Sequence, residues 1–251
     1  MNGQFRILSY NIHKGFTVGN VKFILQKIKQ SIDVVHADVV CLQEVVGDNV
    51  RKKSRIKDWP VTSQFEFLAD QTWSHYAYGK NAVYTEGHHG NAVLSRFPIE
   101  SWKNDDISLT PFENRGLLHT ILNNPEQKKP IHIFCVHLSL LERDRQRQLK
   151  MLSEKIREEV PDGEPLIVAG DFNDWRQNAS LILFKSLGMK EASLDLKGRH
   201  AMTFPSKLPF FALDRIYYRN LKCIGVDVFK KGIWSQLSDH LPTIADFEFA
   251  D

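Results

Sequence analysis

The sequence has little cysteine and no long apolar run. Its three cysteines, Cys41, Cys135 and Cys223, are odd in number and form no Cys-x-x-Cys pair, which argues against a disulfide framework and against a zinc site. No apolar stretch approaches the ~20 residues that a membrane-spanning helix needs, and the first residues lack the apolar core of an export signal. We therefore expect a cytoplasmic chain with no transmembrane segment and no stable protein partner. A peripheral position at a membrane surface is the alternative.

Strong net charge and disorder-promoting composition are also absent. The net charge of the 251 residues is only +3, which permits an anionic ligand without indicating one. Fourteen glycines and ten prolines are too few for a disordered chain, and no repeat or linker interrupts the pattern. With 42% hydrophobic residues the chain can bury a full core, and we predict a single domain spanning residues 1–251.

What the sequence does contain is a regular succession of strand and helix patterns. Strand patterns occupy eleven stretches: 5–12, 38–42, 76–84, 91–95, 100–107, 115–122, 130–138, 166–169, 211–218, 222–229 and 241–249. Helical periodicity occupies four stretches: 21–35, 61–72, 141–160 and 179–187. The first helix joins two strands in a β-α-β unit, and the later strands have short links. We therefore predict two mostly antiparallel sheets packed face to face with helices outside, an α/β (α+β) fold.

Polar side chains follow the ends of several predicted strands. After the buried strand 166–169, Gly170 permits a sharp turn, and Asp171, Asn173 and Asp174 follow. Their oxygens suit a hard cation or an attacking water, although an Asx-rich turn needs the same residues. Asp214 lies in an apolar stretch, where an unpartnered carboxylate costs several kcal/mol, so we expect a histidine, an arginine or a metal beside it. Other polar residues at strand ends are Asn11, Glu44, His137, Asp239 and His240.

Seven short motifs connect these positions. They are Tyr10-Asn11-Ile12-His13, Leu42-Gln43-Glu44, Gly90-Asn-Ala-Val-Leu-Ser-Arg-Phe-Pro98, Val136-His137-Leu138, Gly170-Asp171-Phe172-Asn173, Leu213-Asp214 and Ser238-Asp239-His240. In this order, and over nearly the whole chain, they resemble the endonuclease/exonuclease/phosphatase superfamily. The resemblance implies a DNase I-like, four-layer α/β/β/α sandwich. It also implies a metal-dependent hydrolase that cleaves a phosphodiester by in-line attack of an activated water.

The resemblance assigns a role to each matching position. Glu44 is similar to the family's main ligand for Mg²⁺ (or Mn²⁺), assisted by Asn11 and Asp239, and oxygen ligands are what such hard ions prefer. The residues that resemble the catalytic groups are His137, Asp171, Asn173, Asp214 and His240.

Within that set, Asp171 and Asn173 resemble the pair that orients the attacking water and holds the phosphate. Asp214 resembles the buried partner of His240, whose imidazole would contact the phosphate or assist the nucleophile. His137 resembles a second histidine that stabilises charge or protonates the leaving oxygen.

Two further residues, Arg115 and Asn91, are predicted to bind substrate. A surface ion pair would explain Arg115 equally well. His88 and His89 precede the Gly90-Asn91 motif, and we expect no role for them.

The substrate class is narrowed by departures from subfamily patterns. Abasic-site endonucleases show Asn-x-Asn-Gly where this chain has Asn11-Ile-His13-Lys-Gly15, and inositol polyphosphate phosphatases show Trp-Cys-Asp-Arg where it has Ala212-Leu-Asp-Arg215. We favour a nuclease-type activity on DNA or RNA, for which the basic run 51–57 could contact phosphates, unless it is only a solvated loop.

The alternatives are a sphingomyelinase-like phosphodiesterase, acting on a phospholipid headgroup, and a small-molecule phosphatase. For the first, the stretch Leu208-Pro-Phe-Phe211 could form an apolar rim, unless it starts a strand and fills the core. A catalytically inactive binding module is disfavoured because every residue with a role is present.

Overall fold

Two six-stranded sheets pack face to face in the computed structural model, which describes residues 3–124 and 129–249. The strands of the first sheet are β1 (Gln4–Asn11), β2 (Val39–Asn49), β3 (His75–Tyr84), β4 (Gly87–Ser95), β11 (Leu221–Val228) and β12 (Thr243–Phe249). The strands of the second sheet are β5 (Ile99–Asp106), β6 (Gly116–Leu122), β7 (Ile131–His137), β8 (Leu166–Asp171), β9 (Lys190–Glu191) and β10 (Asp214–Arg219).

Helices flank the two sheets. Within the described residues they are α1 (Leu25–Asp33), α2 (Val50–Arg55), α3 (Gln64–Ala69), α4 (Glu142–Glu159), α5 (Asn178–Leu187), α6 (Ala192–Lys197) and α7 (Trp234–Leu237). The buried side chains of α1, α3 and α7 pack against the outer face of the first sheet. Those of α4 and α5 pack against the outer face of the second sheet. The arrangement confirms the predicted α/β/β/α sandwich.

Alternation along the strands explains why so many of them are apolar throughout. In β1, Phe5 and Ile7 belong to the core between the two sheets, whereas Leu8 and Tyr10 belong to the core under the outer helices. Successive side chains point to opposite faces of a strand, so a strand in the middle of four layers must be apolar on both faces. The continuous apolar runs in the sequence are therefore the signature of this layered packing.

The topology brings several strand ends to one edge of the sandwich. The first sheet has the order β11-β12-β1-β2-β4-β3 and the second has β5-β6-β7-β8-β10-β9. Pairs β1–β2 and β7–β8 are parallel and the other pairs are antiparallel. Because β7 and β8 are parallel, their last residues, His137 and Asp171, lie side by side. Asp214, the first residue of β10, is opposite Asp171 on its other flank.

Gly170 has a packing reason in this arrangement. Its φ is +152°, and a Cβ at this position would lie 1.9 Å from the carbonyl oxygen of Val136. A side chain therefore cannot be accommodated where β8 approaches β7, immediately before Asp171.

Several element boundaries differ from the predictions. Helix α1 begins at Leu25 rather than near residue 21, because Phe16 and Phe23 form a β-bridge that keeps the preceding segment extended. The basic run 51–57, for which a solvated loop was one interpretation, lies mostly in the short helix α2, which Asn49 caps by accepting the Lys52 N–H.

Other differences concern short elements and the last third of the chain. Strand β10 begins at Asp214 rather than at residue 211, and β9, α6 and α7 were not predicted. The three cysteines are unpaired, and all three are buried. Within residues 3–124 and 129–249, every helix is too short or too polar to cross a bilayer. The predicted domain of residues 1–251 includes residues 1–2, 125–128 and 250–251, which lie outside the described residues.

Candidate active site

The buried carboxylate of Asp171, at the end of β8, is the central group of the candidate site. Asn11 Nδ2, at the end of β1, donates a hydrogen bond to Asp171 Oδ2 over 3.1 Å. Nε2 of His137 lies 3.4 Å from the same oxygen, and Nε2 of His240 lies 3.6 Å from it. The other oxygen, Oδ1, accepts the backbone N–H of Asn173 over 3.0 Å. Both sheets therefore contribute polar groups to a single carboxylate.

The surroundings of Asp171 change its proton affinity. Burial disfavours the charged carboxylate and is the largest effect, while the neighbouring His240 acts against it. The net result raises the pKa of Asp171 to about 6. A carboxylate with a pKa in this range can accept a proton and return it near neutral pH.

His240 forms a buried pair with Asp214. Its Nδ1 lies 2.8 Å from Asp214 Oδ2, which identifies His240 as the partner expected for this carboxylate. Burial alone would lower the pKa of His240, but the charges of Asp214 and Asp171 outweigh burial and raise it to about 10. The Asp214 N–H donates to Thr203 Oγ1 over 3.2 Å, which holds the start of β10 in place.

His137 has the opposite protonation preference. Burial is the main cause that lowers its pKa well below the ordinary value of 6.5, and the positive charge of Arg115 acts in the same direction. Two imidazoles therefore flank Asp171, one neutral and one charged at neutral pH. Titratable groups whose pKa values are driven apart in this way are characteristic of acid–base catalysis.

Glu44 reaches the cleft through an irregularity in β2. The register with β4 shifts between Leu42 and Val45, and Glu44 has a φ of +57° in this bulge. Lys14 Nζ lies 3.2 Å from Glu44 Oε2, an ion-pair distance, yet this buried oxygen has no well-directed hydrogen bond. Burial would raise the pKa of Glu44, but His137, Lys14 and His13 reverse the effect and lower it to about 2. The side chain is therefore a carboxylate at neutral pH.

His13 lies between the two carboxylates predicted to bind metal. Its Nδ1 is 3.3 Å from Asp239 Oδ1 and 3.9 Å from Glu44 Oε2. The sequence assigned no role to His13 or Lys14. Their position two and three residues after Asn11 was the available signal, since residues that follow a functional strand end lie at the same edge of the sheet.

Two groups of side chains could hold a cation. Asp171, Asp214 and His240 bring ligand atoms within 4.8 Å of one another. In that group, however, His240 is held by Asp214 and favours the protonated form, which has no lone pair for a metal. Glu44 is ionised and has a buried oxygen without a directed hydrogen bond. With Asp239 nearby, it fits the oxygen-rich environment that a hard divalent ion prefers.

The two residues predicted to bind substrate have different environments. Arg115 lines the cleft, forms an ion pair with Glu113 over 2.8 Å, and leaves its buried Nε without a partner. Asn91 does not line the cleft. Its Nδ2 donates to the carbonyls of Gly116 and Cys135, each over 3.2 Å, and so connects the first sheet to the second. The geometry supports a substrate contact for Arg115, whereas Asn91 has a structural contact.

Asp174 and Asn173 differ although they are neighbours. Asn173 Nδ2 donates to the Leu138 carbonyl over 3.0 Å and ties the end of β8 to the end of β7. Asp174 faces away from the cleft: its Oδ2 accepts the Ala179 N–H at the start of α5 and forms a buried ion pair with Arg215 over 2.9 Å. Asp174 therefore has a capping and packing role.

The cleft that contains the candidate active site has a volume of about 200 Å³. Larger surface cavities, of about 800 and 860 Å³, lie elsewhere and contain none of the predicted site residues. The chemistry of its lining, rather than its size, distinguishes the small cleft. It is lined by Asn11, Glu44, Arg115, His137, Leu140, Asp171, Asn173, Trp175, Phe204, Leu213, Asp239 and His240.

Comparison with known proteins gives matches that extend over nearly the whole chain. A model of the Endonuclease/Exonuclease/phosphatase family matches residues 8–240. The chain is 49% identical over 243 residues to the uncharacterized protein YbhP of Escherichia coli (strain K12), covering 97% of this chain and 96% of that protein.

Solved structures share the fold at low identity. An endonuclease/exonuclease/phosphatase family protein from Leptotrichia buccalis C-1013-b superimposes with a TM-score of 0.76 at 17% identity, over 98% of this chain and 100% of that one. The mannosyl-6-phosphatase Bt3783 of Bacteroides thetaiotaomicron VPI-5482 has a TM-score of 0.75 at 16% identity, with the same coverage of both chains.

Proposed function

Because the chain belongs to the endonuclease/exonuclease/phosphatase family, we propose that it is a divalent-metal-dependent phosphoesterase that hydrolyses a phosphodiester by in-line attack of water. The observation that carries the proposal is the convergence of one amide and two imidazoles on Asp171 Oδ2. Such an arrangement costs stability through burial of polar groups, so it indicates a function beyond folding.

Asp171 is the group that receives a proton from the attacking water. Its raised pKa places it close to neutral pH, where a general base is most effective. Asn173 donates its backbone N–H to Asp171 Oδ1 and so fixes the carboxylate, with Oδ2 left towards the cleft.

His240 and His137 bind the phosphate. The charged imidazole of His240, oriented by Asp214, donates from Nε2 and stabilises negative charge that develops on the phosphoryl oxygens. The neutral His137 serves as an uncharged N–H donor on the other side of Asp171. The lowered pKa of His137 supports this role more than that of acid for the leaving oxygen, which the sequence had also suggested.

Glu44 and Asp239, with Asn11 beside them, would hold Mg²⁺ or Mn²⁺. When bound, such an ion neutralises charge on the phosphoryl group and the leaving oxygen. Lys14 already lies 3.2 Å from Glu44 and provides positive charge at the same place. Arg115 lies at the rim of the cleft, where its unpartnered Nε can donate to a phosphate oxygen.

Hydrolysis of bis-p-nitrophenyl phosphate with added Mn²⁺, with and without EDTA, tests the proposal. We expect wild type to release nitrophenol, EDTA to abolish release, and Glu44→Gln and His240→Asn to lower kcat by roughly 10²–10⁴-fold. Glu158→Gln is the matched control, because this carboxylate is exposed on α4. Equal rates for wild type and both site variants, or no hydrolysis of soluble diesters or monoesters, would refute the proposed function.

The side chains of the candidate site would contact the phosphate group and not the alcohols esterified to it. The preference for nucleic acid rested on the basic run 51–57, which the structure places mostly in α2. Lys52 of that helix is close enough to Glu44 for their charges to interact. Basic side chains therefore border the cleft on the side of the first sheet, and they suit any polyanionic surface.

A further inference from the structure

Large apolar side chains are exposed on the loops that surround the candidate active site. Four segments of the second sheet meet at its edge: 107–115 before β6, 138–141 after β7, 172–177 after β8 and 198–213 before β10. Each carries at least one such side chain. We call this set the apolar lip: Phe112 (95% exposed), Leu140 (52%), Leu141 (61%), Trp175 (38%), Leu208 (74%) and Phe210 (57%).

Neighbouring segments contact one another, so the lip follows one side of the cleft. The two middle segments are joined by the hydrogen bond that Asn173 Nδ2 donates to the Leu138 carbonyl. Leu140 donates its backbone N–H to Glu113 over 3.2 Å, which joins the first two segments. Trp175 lies against Phe211 with ring centroids 5.7 Å apart, which joins the last two. Leu140 and Trp175 themselves line the cleft.

The stretch 208–211 does not fill the core, contrary to one of its two sequence interpretations. Leu208 and Phe210 are mainly exposed, and β10 begins only at Asp214. Phe211 is only partly buried and contacts the ring of Phe210, with 4.5 Å between centroids. Contiguous exposed apolar side chains of this size mark an interaction surface.

The opposite side of the cleft, formed by the first sheet, is basic. Segments 45–62, 85–86 and 229–242 carry exposed cations that we call the basic rim: Arg51, Lys53, Arg55, Lys57, Lys230 and Lys231. The exposed acids of the same segments are Asp48, Asp58 and Glu86, of which Glu86 pairs with Arg51. The lip segments also carry the exposed cations Arg176, Arg199 and Lys207. One edge of the sandwich thus presents a half rich in large exposed apolar side chains and a half rich in cations, with the hydrolytic groups between them.

We infer that this edge docks on an anionic phospholipid bilayer, and the inference rests on the proposed function for its substrate class, a phospholipid headgroup phosphodiester. Apolar side chains at loop tips enter the acyl boundary while cations bind the headgroups. The small cleft between the two halves then faces the layer in which lipid phosphates lie.

The composition of the lip favours a lipid over single-stranded nucleic acid. Nucleobases stack on aromatic side chains that alternate with cations along a groove. Half of the lip is leucine, which gives no stacking platform, and its exposed aromatic side chains lie on loop tips rather than along a groove. Exposed cations occur on the lip segments as well as across the cleft, as expected for a surface that binds anionic headgroups. Aliphatic tips beside aromatic ones are instead suited to insertion into a bilayer.

Vesicle co-sedimentation tests the inference, and EDTA is present so that binding is measured without turnover. Vesicles of phosphatidylcholine alone are compared with vesicles that also contain phosphatidylglycerol. We expect wild type to sediment with the anionic vesicles, and Leu208→Ser/Phe210→Ser to lose roughly tenfold or more in partition coefficient, because two apolar side chains no longer enter the bilayer. Sedimentation of the Lys53→Gln/Arg55→Gln variant should no longer depend on the phosphatidylglycerol content of the vesicles.

Two control variants match these changes. Val34→Ser alters an equally exposed apolar side chain, 70% exposed, at the opposite edge of the sandwich, and should sediment as wild type does. Lys150→Gln removes a cation from the outer face of α4 and should also leave sedimentation unchanged. Thermal unfolding of every variant establishes that it is folded.

The inference is overturned if wild type fails to sediment with anionic vesicles, or if the lip variant sediments as well as Val34→Ser. It is also overturned if the lip variant loses binding to a single-stranded oligonucleotide while no form binds vesicles. Failure of the proposed function would appear separately, as wild-type protein that binds vesicles but hydrolyses no soluble phosphodiester.

Discussion

Asp214 acts through His240 rather than on the substrate. It holds Nδ1 of the imidazole at 2.8 Å, and its charge is the main cause that opposes burial and raises the pKa of His240. We predict that Asp214→Asn lowers kcat roughly 10²–10⁴-fold with a small change in KM, as expected for a carboxylate that orients a catalytic histidine.

The pH profile separates this role from a purely structural one. A raised pKa keeps His240 charged up to about pH 10 in wild type. Without the Asp214 charge the imidazole loses its proton at lower pH, so the residual activity of the variant should fall as pH rises from about 6.5, where wild type stays active. Asp227→Asn, on an exposed side chain, is the control. Parallel pH profiles for wild type and Asp214→Asn would contradict the assignment.

Asp174 and Arg215 form a buried ion pair beside the site, and its loss should appear in stability. Asp174→Asn removes the charge that compensates Arg215, each side chain being 1% exposed. We expect the free energy of unfolding to fall by about 3–5 kcal/mol, measured by urea denaturation. Glu248→Gln breaks the exposed pair with Lys222 and should change it by less than about 1 kcal/mol. Similar losses for both variants would argue against the distinction.

At the scale of residues, the sequence predicted the functional side chains that lie in recognisable motifs. It missed those that only the tertiary structure brings to the site. Glu44, Asp171 and His240 were identified because they lie next to predicted strands and within motifs that resemble those of the family. The position of His13 between two carboxylates depends on a turn with positive φ at residues 13 and 14, which no periodicity indicates. The structural contact of Asn91 depends on the distance between sheets, which a sequence cannot supply.

At the scale of elements, four side chains join the second sheet to its outer layer. His119 Nδ1 on β6 lies 3.0 Å from Glu159 at the end of α4, and its Nε2 lies 3.0 Å from His132 Nδ1 on β7. His132 Nε2 in turn lies 2.7 Å from Glu164. This Glu–His–His–Glu chain fastens α4 to two strands through groups that titrate.

Low pH should weaken the contacts of this Glu–His–His–Glu chain. Burial is the main cause that lowers the pKa of His119 from 6.5 to about 4, with the charge of His132 acting in the same direction. The unfolded chain therefore binds more protons than the folded one between these values, and the stability that neutral His119 provides is present above pH 6.5 and lost as pH falls towards 4.

Thermal unfolding as a function of pH measures the effect. We predict that the Tm of wild type falls more between pH 7 and pH 4.5 than the Tm of His119→Gln, in which the amide cannot titrate. His36→Gln, on an exposed histidine, should keep the acid dependence of wild type. Equal losses in wild type and His119→Gln would show that other groups control acid unfolding.

Long elements were predicted well because their periodicity is extended, as in α4 and β7. Short ones were missed for a physical reason. Helix α6 has only six residues and is held by Glu191, whose carboxylate accepts the N–H groups of Ser193 and Leu194 and also binds His200. Such an element is stabilised by a buried capping contact rather than by its own apolar stripe, so its sequence carries little signal.

At the scale of the whole molecule, the candidate metal site should contribute to stability. A ligand that binds only the folded state stabilises it by RT ln(1 + [L]/Kd), which is about 2.7 kcal/mol when the ligand is at one hundred times Kd. We predict that Mn²⁺ raises the Tm of wild type and that EDTA reverses the rise. Glu44→Gln should abolish the shift, and Glu158→Gln should preserve it. A shift that survives in Glu44→Gln but not in Asp214→Asn would move the metal to the Asp171–Asp214–His240 group.

The four-layer arrangement could be predicted from the sequence because apolar strands between amphipathic helices have few ways to bury both faces. The assignment of strands to sheets could not. Strands β3 to β7 follow one another with short links, yet the chain leaves the first sheet after β4 and enters the second at β5. Which strands pair after this transfer between sheets depends on which apolar strand faces meet. All of those faces are similar in composition, so the sequence does not distinguish them.

The position of β12 has a consequence for the order of events during synthesis. This last strand pairs with β1, the first, and so completes the centre of the first sheet, with Gln4 opposite Glu248. Contacts of such long sequence separation form late and slow folding. Asp239 and His240 lie just before β12, so the hydrolytic groups come together only after synthesis has passed these residues. A nascent or prematurely terminated chain would carry the Glu44 and Asp171 motifs without the imidazole that completes them, and it could not act as a phosphodiesterase.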